Sequence, residues 1–327
     1  MGKGLTPAPG AIEEFPTEKN QRSSSCLACG SSNNEPWAVA TDIEYYTTKE
    51  RFSYWRCCAC DCLWIDPVPV GKLDQIYPPN YYSYNDDATS IIGRVKNRVD
   101  QQMFRSLLGE VQGKALRALD IGGGCGGALD LLKVADTRIA GTVVVDLDDG
   151  AKRVAESRGH IFFHGGIEKY DSDNLYDVIL MLNLIEHVAN PADVLLKAKA
   201  LLRPGGRILL KTPNWRSLDH FLFRHRSWGG YHCPRHWVLW TLPGFQALSE
   251  SCGFEVLSAN YTQGAPFWAV SVLDVLKNIG LVSVTPERPA CAHPLFGALC
   301  GLFAAVDFLR RPFSNPSQMV FVLTRPD

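Results

Sequence analysis

The sequence predicts an α/β protein, a doubly wound sheet preceded by a small cysteine-rich module. From Leu116 onward, apolar runs of strand length alternate with stretches of helical period, the pattern of strands and helices wound into one sheet. The first of these runs ends at Asp120 and breaks into Gly122, Gly124 and Gly126, followed by Ala128, Leu129, Leu131 and Leu132; this reads as strand, tight turn, helix. Ahead of it stand two Cys-x-x-Cys pairs, Cys26/Cys29 and Cys57/Cys60, which read as metal-binding knuckles.

A chain of 327 residues with 46% hydrophobic residues can hold one full α/β domain and a smaller module. The net charge of −1 supplies no basic field, so nucleic acid is not an expected partner. The 11 cysteines, without an apolar signal segment near the start, lead us to expect a reducing, cytoplasmic setting. Met-Gly-x-x-x-Thr at the start matches a myristoylation pattern, but Lys3-Gly4 reads as plain tail. No run is long enough to span a bilayer.

Residues 1–21 carry Pro7, Pro9 and Pro16 without hydrophobic periodicity and are expected to be a disordered leader. The knuckles and the aromatic, β-branched stretch between them make 22–70 a zinc-ribbon-like module with Cys26, Cys29, Cys57 and Cys60 as ligands. Cys58 and Cys62 leave the second ligand pair open. Four thiolates would close the site, so the zinc is structural, contributing on the order of 10–16 kcal/mol to a module too small to be stable alone. Prolines and then an amphipathic helix (Ile92, Val95, Val99, Met103, Leu107) fill the linker 71–112. Tyr77, Tyr81, Tyr82 and Tyr84 read either as packing under a loop or as a lid.

Over 113–327 the expected order is strand 115–121, helix 126–135, strand 138–146, helix 149–158, strands 160–164 and 176–183, helix 191–202, strand 207–212, helix 241–252, and strands 254–261 and 318–325. Asp146 ends the second strand, where an acid accepts hydrogen bonds from ribose hydroxyls. A glycine loop against helix N–H groups, with that acid, points to a nucleoside-bearing cofactor. Gly122, Gly124 and Gly127 also match the dinucleotide fingerprint, which keeps a nicotinamide oxidoreductase open at this point.

Further along, the fourth strand (176–183) runs into Glu186-His187-Val188, Pro204-Gly205-Gly206 precedes the fifth strand, and Thr212-Pro213-Asn214 follows it. This succession resembles the class I S-adenosylmethionine-dependent methyltransferases, in the branch that writes these three motifs. The resemblance covers about 115–325, and the zinc-knuckle leader is similar to one in bacterial members linked with glycan or secondary-metabolite pathways. It implies a Rossmann-like seven-stranded sheet with an antiparallel last strand. It also implies that Asp120, Gly122, Gly124 and Gly126 hold the methionine part of S-adenosylmethionine, Asp146 the ribose and Leu147 the adenine. Asn183 would face the sulfonium side. Gly166 stands where many relatives place an acid near the adenine, with Glu168 two residues on. Quinone-pathway O-methyltransferases resemble the segment but can carry an extra acid at the position of Asn183, in a proposed divalent-ion site, so no catalytic metal is expected.

Methyl transfer is an in-line displacement that needs alignment and, for a hydroxyl acceptor, a base. His187 and His236 are the candidate bases, with oxygen the expected methylated atom. The substrate-side insertion 213–240 is rich in aromatic and cationic residues; Trp228, Tyr231 and Arg235 are expected to contact a small-molecule or glycan- or lipid-linked acceptor, and His225 and His232 to be solvated. A helical insertion spans 262–317. Its apolar run 294–309, closed by Arg310 and Arg311, reads as a buried cover, a dimer face, or an interfacial helix at the inner face of a membrane. A non-catalytic module recruiting partners through its zinc ribbon is the remaining reading.

Overall fold

The computed structural model describes residues 25–81, 91–225 and 227–326; the expected leader, Tyr82 and Tyr84 lie outside them. Three antiparallel strands come first: β1 (Asn34–Ala40), β2 (Phe52–Cys57) and β3 (Leu63–Asp66). A short α1 (Leu73–Ile76) and α2 (Ile91–Gly109) follow. The C-terminal part of α2 faces the core through Phe104, Leu107 and Leu108. Val99, expected on the inner face, is exposed. Arg138 holds this end by donating to the carbonyls of Leu108, Val111 and Gly113, a cation on the carbonyls that a helix end leaves unpaired.

The main domain alternates β4 (Leu116–Ile121), α3 (Gly127–Ala135), β5 (Ile139–Asp146), α4 (Asp149–Ser157), β6 (Ile161–His164), β7 (Tyr176–Leu182), α5 (Pro191–Leu201) and β8 (Leu202–Pro213). Its last part holds α6 (Leu218–Phe223), β9 (Val238–Leu239), α7 (Leu242–Ser251), β10 (Glu255–Thr262), α8 (Ala265–Asn278), α9 (Pro294–Arg310) and β11 (Gln318–Thr324). The seven-stranded sheet runs β10-β11-β8-β7-β4-β5-β6. β4 to β8 are mutually parallel where they pair, and β11 is antiparallel to both neighbours, as expected. Central strands covered on both faces must be apolar throughout, and β4 and β7 are buried almost end to end. Caps fix the helix starts: Asp148 accepts from the Gly150 N–H at α4, and Thr241 from the Gly244 N–H at α7.

The chain winds outward from β4 through β5 to β6, then returns to place β7 on the other side of β4. Ligands of open α/β sheets bind at such a switch point, beyond the carboxyl ends of the strands. Here the loops after β4 and β7 meet: a Cβ on Gly122 would come 2.9 Å from Leu184 Cδ1.

A second, four-stranded sheet has the order β1-β2-β3-β9. Its fourth strand comes from the 213–240 insertion, with Leu239 opposite Leu63 and Val238 opposite Trp64. Cys26, Ala28, Cys57, Cys62 and Trp64 share one buried cluster with Leu119, Trp240 and Phe245. The cysteine module is therefore continuous with the main domain.

In the helical insertion, α8 packs along α9, with Trp268 stacked on Phe303 at 4.7 Å. Buried Asp307 accepts from the Gly264 N–H (2.8 Å), Trp268 Nε1 (3.1 Å) and Arg310 Nε (2.8 Å). Asp307→Ala would strand all three donors and is expected to destabilise the fold by about 3–5 kcal/mol. Urea denaturation should show a lower midpoint for Asp307→Ala, with Asp307→Asn in between; a midpoint equal to wild type would remove the residue from the structural account.

Candidate active site

The glycine turn after β4 is shaped by contacts that a side chain would block. Gly126 begins α3 at φ 79°, and the His160 imidazole, hydrogen-bonded to Thr142 Oγ1 at 2.9 Å, occupies the space of its missing Cβ. Asp146 accepts from the Gly124 N–H (2.8 Å) and the Asp148 N–H (2.9 Å), one bond on each carboxylate oxygen. Each oxygen keeps a lone pair for a further donor. Asp120 is buried, and burial together with the charge of Asp146 raises its pKa to about 8; burial raises Asp146 as well. Two acids so placed favour a ligand that brings hydroxyl donors or positive charge. The exposed side chain of Leu147 follows directly on Asp146. The Glu168 carboxylate occupies the space of the missing Cβ of Gly166.

Asn183 lies just past β7 at φ 58°, a left-handed conformation that Asn tolerates. Its N–H donates to the Lys211 carbonyl (2.8 Å), and its Oδ1 accepts from Gln318 Nε2 (3.1 Å). These residues fit a nucleoside with a cationic head: bare backbone in the turn, acids for hydroxyl and ammonium donors, and an apolar side chain beside them.

A second cluster begins three residues beyond Asn183. Glu186 is fully buried; one carboxylate oxygen accepts from Thr212 Oγ1 (3.0 Å), and Oε1 has no hydrogen-bond partner among the described residues. Burial lifts its pKa to about 8. His236 Nε2 lies 3.9 Å from Glu186 Oε1. His236 Nδ1 faces the Gly230 carbonyl at 2.8 Å, and His187 Nδ1 faces the Arg235 carbonyl at 3.0 Å with the Tyr77 hydroxyl at 2.9 Å. A carbonyl can only accept, so both imidazoles carry their proton on Nδ1 and present Nε2 as a lone pair. Burial depresses both, His187 to about 3, and both are neutral near pH 7. Their rings meet edge-on at 4.8 Å, and a ligand atom from each of Glu186, His187 and His236 lies within 4.8 Å of the others.

The cysteine module adds groups that the sequence did not suggest. His232 was expected to be solvated, but it is buried: Nδ1 donates to Glu44 Oε2 at 2.5 Å, and Nε2 lies 3.0 Å from the Tyr81 hydroxyl. With Nδ1 donating, Nε2 accepts from Tyr81. The His232 backbone stands at φ 39°, and its ring lies 4.9 Å from that of His236. Nothing near Glu44 in the sequence marks it.

The expected substrate contacts lie inside the protein. Trp228 is fully buried and donates from Nε1 to Asp219 Oδ2 at 2.7 Å. Tyr231 is buried 4.8 Å from the Tyr54 ring and donates to the Arg224 carbonyl. Arg235, 0% exposed, donates to Asp42 Oδ2 (2.8 Å) and the Ile76 carbonyl (2.7 Å) beneath the Tyr45 ring. The physical reason is that these irregularly spaced aromatics fill a second core beneath the small sheet. No strand or helix period was needed to bury them.

The four expected metal ligands do come together. Cys26 Sγ lies 3.7 Å from Cys60 Sγ and Cys29 Sγ 3.5 Å from Cys57 Sγ, with all four thiols in one cluster. Tetrahedral zinc with bonds of about 2.3 Å would set its sulfurs about 3.8 Å apart, so the donor set fits that metal. The N–H groups of Ala28 and Ala59 donate to Cys26 and Cys57 Sγ at 3.4 Å, the outer-shell support a thiolate site uses. Cys58 is exposed, and buried Cys62 faces the Cys60 carbonyl. This selects Cys57 and Cys60 as the second pair.

A family described as a methyltransferase domain matches residues 84–259. The ubiquinone biosynthesis O-methyltransferase of Vibrio vulnificus strain YJ016 is 31% identical over 117 residues, covering 33% of this chain and 47% of its own length. That of Bradyrhizobium sp. strain ORS 278 is 34% identical over 112 residues, covering 31% and 42%. The chain thus spans about half the length of the curated relatives it matches. A solved structure described as a SAM-dependent methyltransferase from Archaeoglobus fulgidus is similar at 16% identity and TM-score 0.46, covering 70% of this chain and 94% of that one. With the glycine turn, the acid ending β5 and the family match over more than half its length, the chain belongs to the methyltransferase domain family.

Proposed function

We propose that the protein transfers a methyl group from S-adenosylmethionine to a hydroxyl of a small-molecule or glycan- or lipid-linked acceptor. The observation that carries this reading is the pairing, at one sheet edge, of the acid-lined glycine turn with the Glu186–His187–His236 cluster on the far side of Asn183. The name of the curated relatives, O-methyltransferases, supports oxygen as the atom methylated.

When bound, S-adenosylmethionine supplies a methyl on a sulfonium whose sulfur is already a good leaving group. The chain must then bind, align and deprotonate. Asp146 offers its remaining lone pairs to ribose hydroxyls, Leu147 an apolar face to the adenine, and Asp120 negative charge to the cationic end. The Glu168 carboxylate, beside the side-chain-free Gly166, stands in for the acid that many relatives place at the adenine. Asn183, whose Oδ1 accepts from Gln318, would stand on the sulfonium side of the site.

The acceptor's hydroxyl is placed beside Glu186 Oε1, the oxygen without a partner among the described residues, which lies 3.9 Å from His236 Nε2, too far for a direct hydrogen bond. Of the three groups, Glu186 has a pKa near the working range, where a general base is most effective; His187 at about 3 is too weakly basic to hold a proton near pH 7. Glu186 takes the hydroxyl's proton, and the two imidazoles, whose Nε2 atoms can only accept, border the hydroxyl without donating to it. Glu44 and Tyr81 hold His232 against His236. Structural zinc on Cys26, Cys29, Cys57 and Cys60 stabilises the module that supplies Glu44 and Asp42.

Isothermal titration should show S-adenosylmethionine binding, weakened at least about tenfold by Asp146→Ala through loss of its ribose hydrogen bonds, and no NADH binding. Binding of NADH instead would overturn the assignment.

Because Glu186 is neutral below about pH 8 and a carboxylate above it, turnover should climb about tenfold per pH unit and level off past that point. Glu186→Gln should lower turnover by about 10²-fold or more and abolish the climb. A rate flat from mildly acidic pH upward would instead give the base role to His187.

Chelation should remove about one zinc per chain and unfold the β1–β3 module. Turnover should fall with it, and metal analysis beside circular dichroism reads both. A zinc-free chain with unchanged activity would separate the module from the site.

A further inference from the structure

The outer face of the helical insertion inverts the usual distribution of charge. Along α9 the exposed positions Leu295, Ala298, Leu302, Ala305 and Leu309 follow a three-four spacing with no charged residue among them. Phe308 and Leu309 are each 71% exposed, and Phe313 just beyond the helix is 88% exposed. α6 continues this surface with exposed Phe221 and Leu222. The two helices adjoin: Phe223 of α6 lies 6.0 Å from Trp268, which stacks on Phe303 of α9, and Arg310 Nη2 lies 3.9 Å from Asp219 Oδ1. The acids of this layer, Asp219, Asp274 and Asp307, are all buried. What reaches the rim is cationic: exposed Arg311, and half-buried Arg224, whose guanidinium lies over the Phe221 ring at 5.2 Å.

We infer that the α6–α9 face docks in the plane of an anionic lipid bilayer. Exposed aromatic and leucine side chains beside a cationic rim, with no exposed carboxylate on α6, α8 or α9, suit the boundary between acyl chains and acidic head groups. A two-fold contact between copies would lay one cationic rim against another with no acid to balance it, which favours lipid over self-association. Among the described residues no helix is long and apolar enough to cross a membrane, so the helix lies in the surface plane. Arg311, whose Nη2 donates to the Tyr261 carbonyl at 2.6 Å, is exposed at the rim, whereas Arg310, expected from the sequence to lie there too, is spent on Asp307, Ser314 and the Asn315 carbonyl. This inference is independent of the acceptor's identity and of the methyl-transfer reading.

The full chain, zinc-replete, is mixed with vesicles of phosphatidylcholine alone or with phosphatidylglycerol added, and sedimented at low salt. Pelleting with the anionic vesicles only is expected, reduced by added salt. The double variant Leu309→Glu/Phe313→Glu should stay in the supernatant while keeping the wild-type circular dichroism and melting temperature. A wild-type chain that leaves anionic vesicles alone overturns the inference. So does concentration-dependent dimerisation in sedimentation velocity that the double variant abolishes, since the face then serves a second copy.

Discussion

The buried ion pair between Arg235 and Asp42 ties the two halves of the protein together. Both side chains are fully enclosed, and either charge left alone there would cost far more than the pair returns. Arg235 can therefore be buried only if the loop after β1 is present to receive it. The same loop then delivers Glu44 to His232, while the backbone of Arg235 offers its carbonyl to His187 Nδ1. A bond that looks like packing thus fixes the tautomer of one histidine and the position of another. The strand pairing of β9 with β3 works in the same direction, since Trp237 and Val238 leave the His236 segment straight into the small sheet. The cysteine module thus meets the histidine cluster through Glu44 and Asp42.

The two sides of Asn183 have opposite electrostatic characters. On the glycine-turn side, Asp120 and Asp146 are crowded so that burial and their mutual repulsion lift Asp120 to about 8; a cation arriving there would relieve both costs at once. On the other side, burial removes charge instead: Glu186 is raised and the two imidazoles are lowered, leaving a nearly neutral cluster. In the proposed reaction a neutral hydroxyl would meet it at little desolvation cost, and its proton would have a carboxylate to go to only when Glu186 is ionised. The separation of a cation-seeking side from a neutral side follows from the fold. β4 carries an acid one residue before its end and β5 ends in one, whereas β7 is followed by the amide Asn183 and then by the buried carboxylate of Glu186.

The main sheet was legible because its signals are local. Apolar runs of strand length, the Gly122–Gly126 turn and Asp146 at the end of β5 each announce themselves within a few residues, and the seven strands fall in the expected order. The Cys26/Cys29 and Cys57/Cys60 knuckles were legible for the same reason. What the sequence hid depends on contacts across the chain. Val99 carries the helical period of α2 but is exposed. Trp228, Tyr231 and Arg235 have the composition of a binding wall and the burial of a core, since only the small sheet folding over them decides the matter. Glu44 and His232 are 188 residues apart, and no local pattern joins them. Glu186 was visible beside His187, but its matched pKa comes from complete burial, which no spacing reveals.

The helical insertion shows how a buried polar network and an apolar exterior depend on one another. Asp219 binds Trp228 Nε1 and Ser317 Oγ, Asp274 binds Ser227 Oγ, and Asp307 binds Trp268 and Arg310. Each acid thus joins α6, α8, α9 or β11 to its neighbour by charge-assisted bonds. Apolar side chains that would ordinarily hold such helices together are thereby released to the outside, as Phe221, Leu222, Phe308, Leu309 and Phe313. In water alone this arrangement is unfavourable twice over: carboxylates lose hydration, and leucine and phenylalanine remain exposed. The opposite arrangement, acids outside and aromatics inside, would be the more stable in water. The inverted pattern is consistent with a surface whose working solvent is not water throughout. The same network that permits this exterior also anchors Trp228 under Gly229 and Gly230, whose carbonyl holds His236, so the exposed face and the histidine cluster rest on one set of buried bonds.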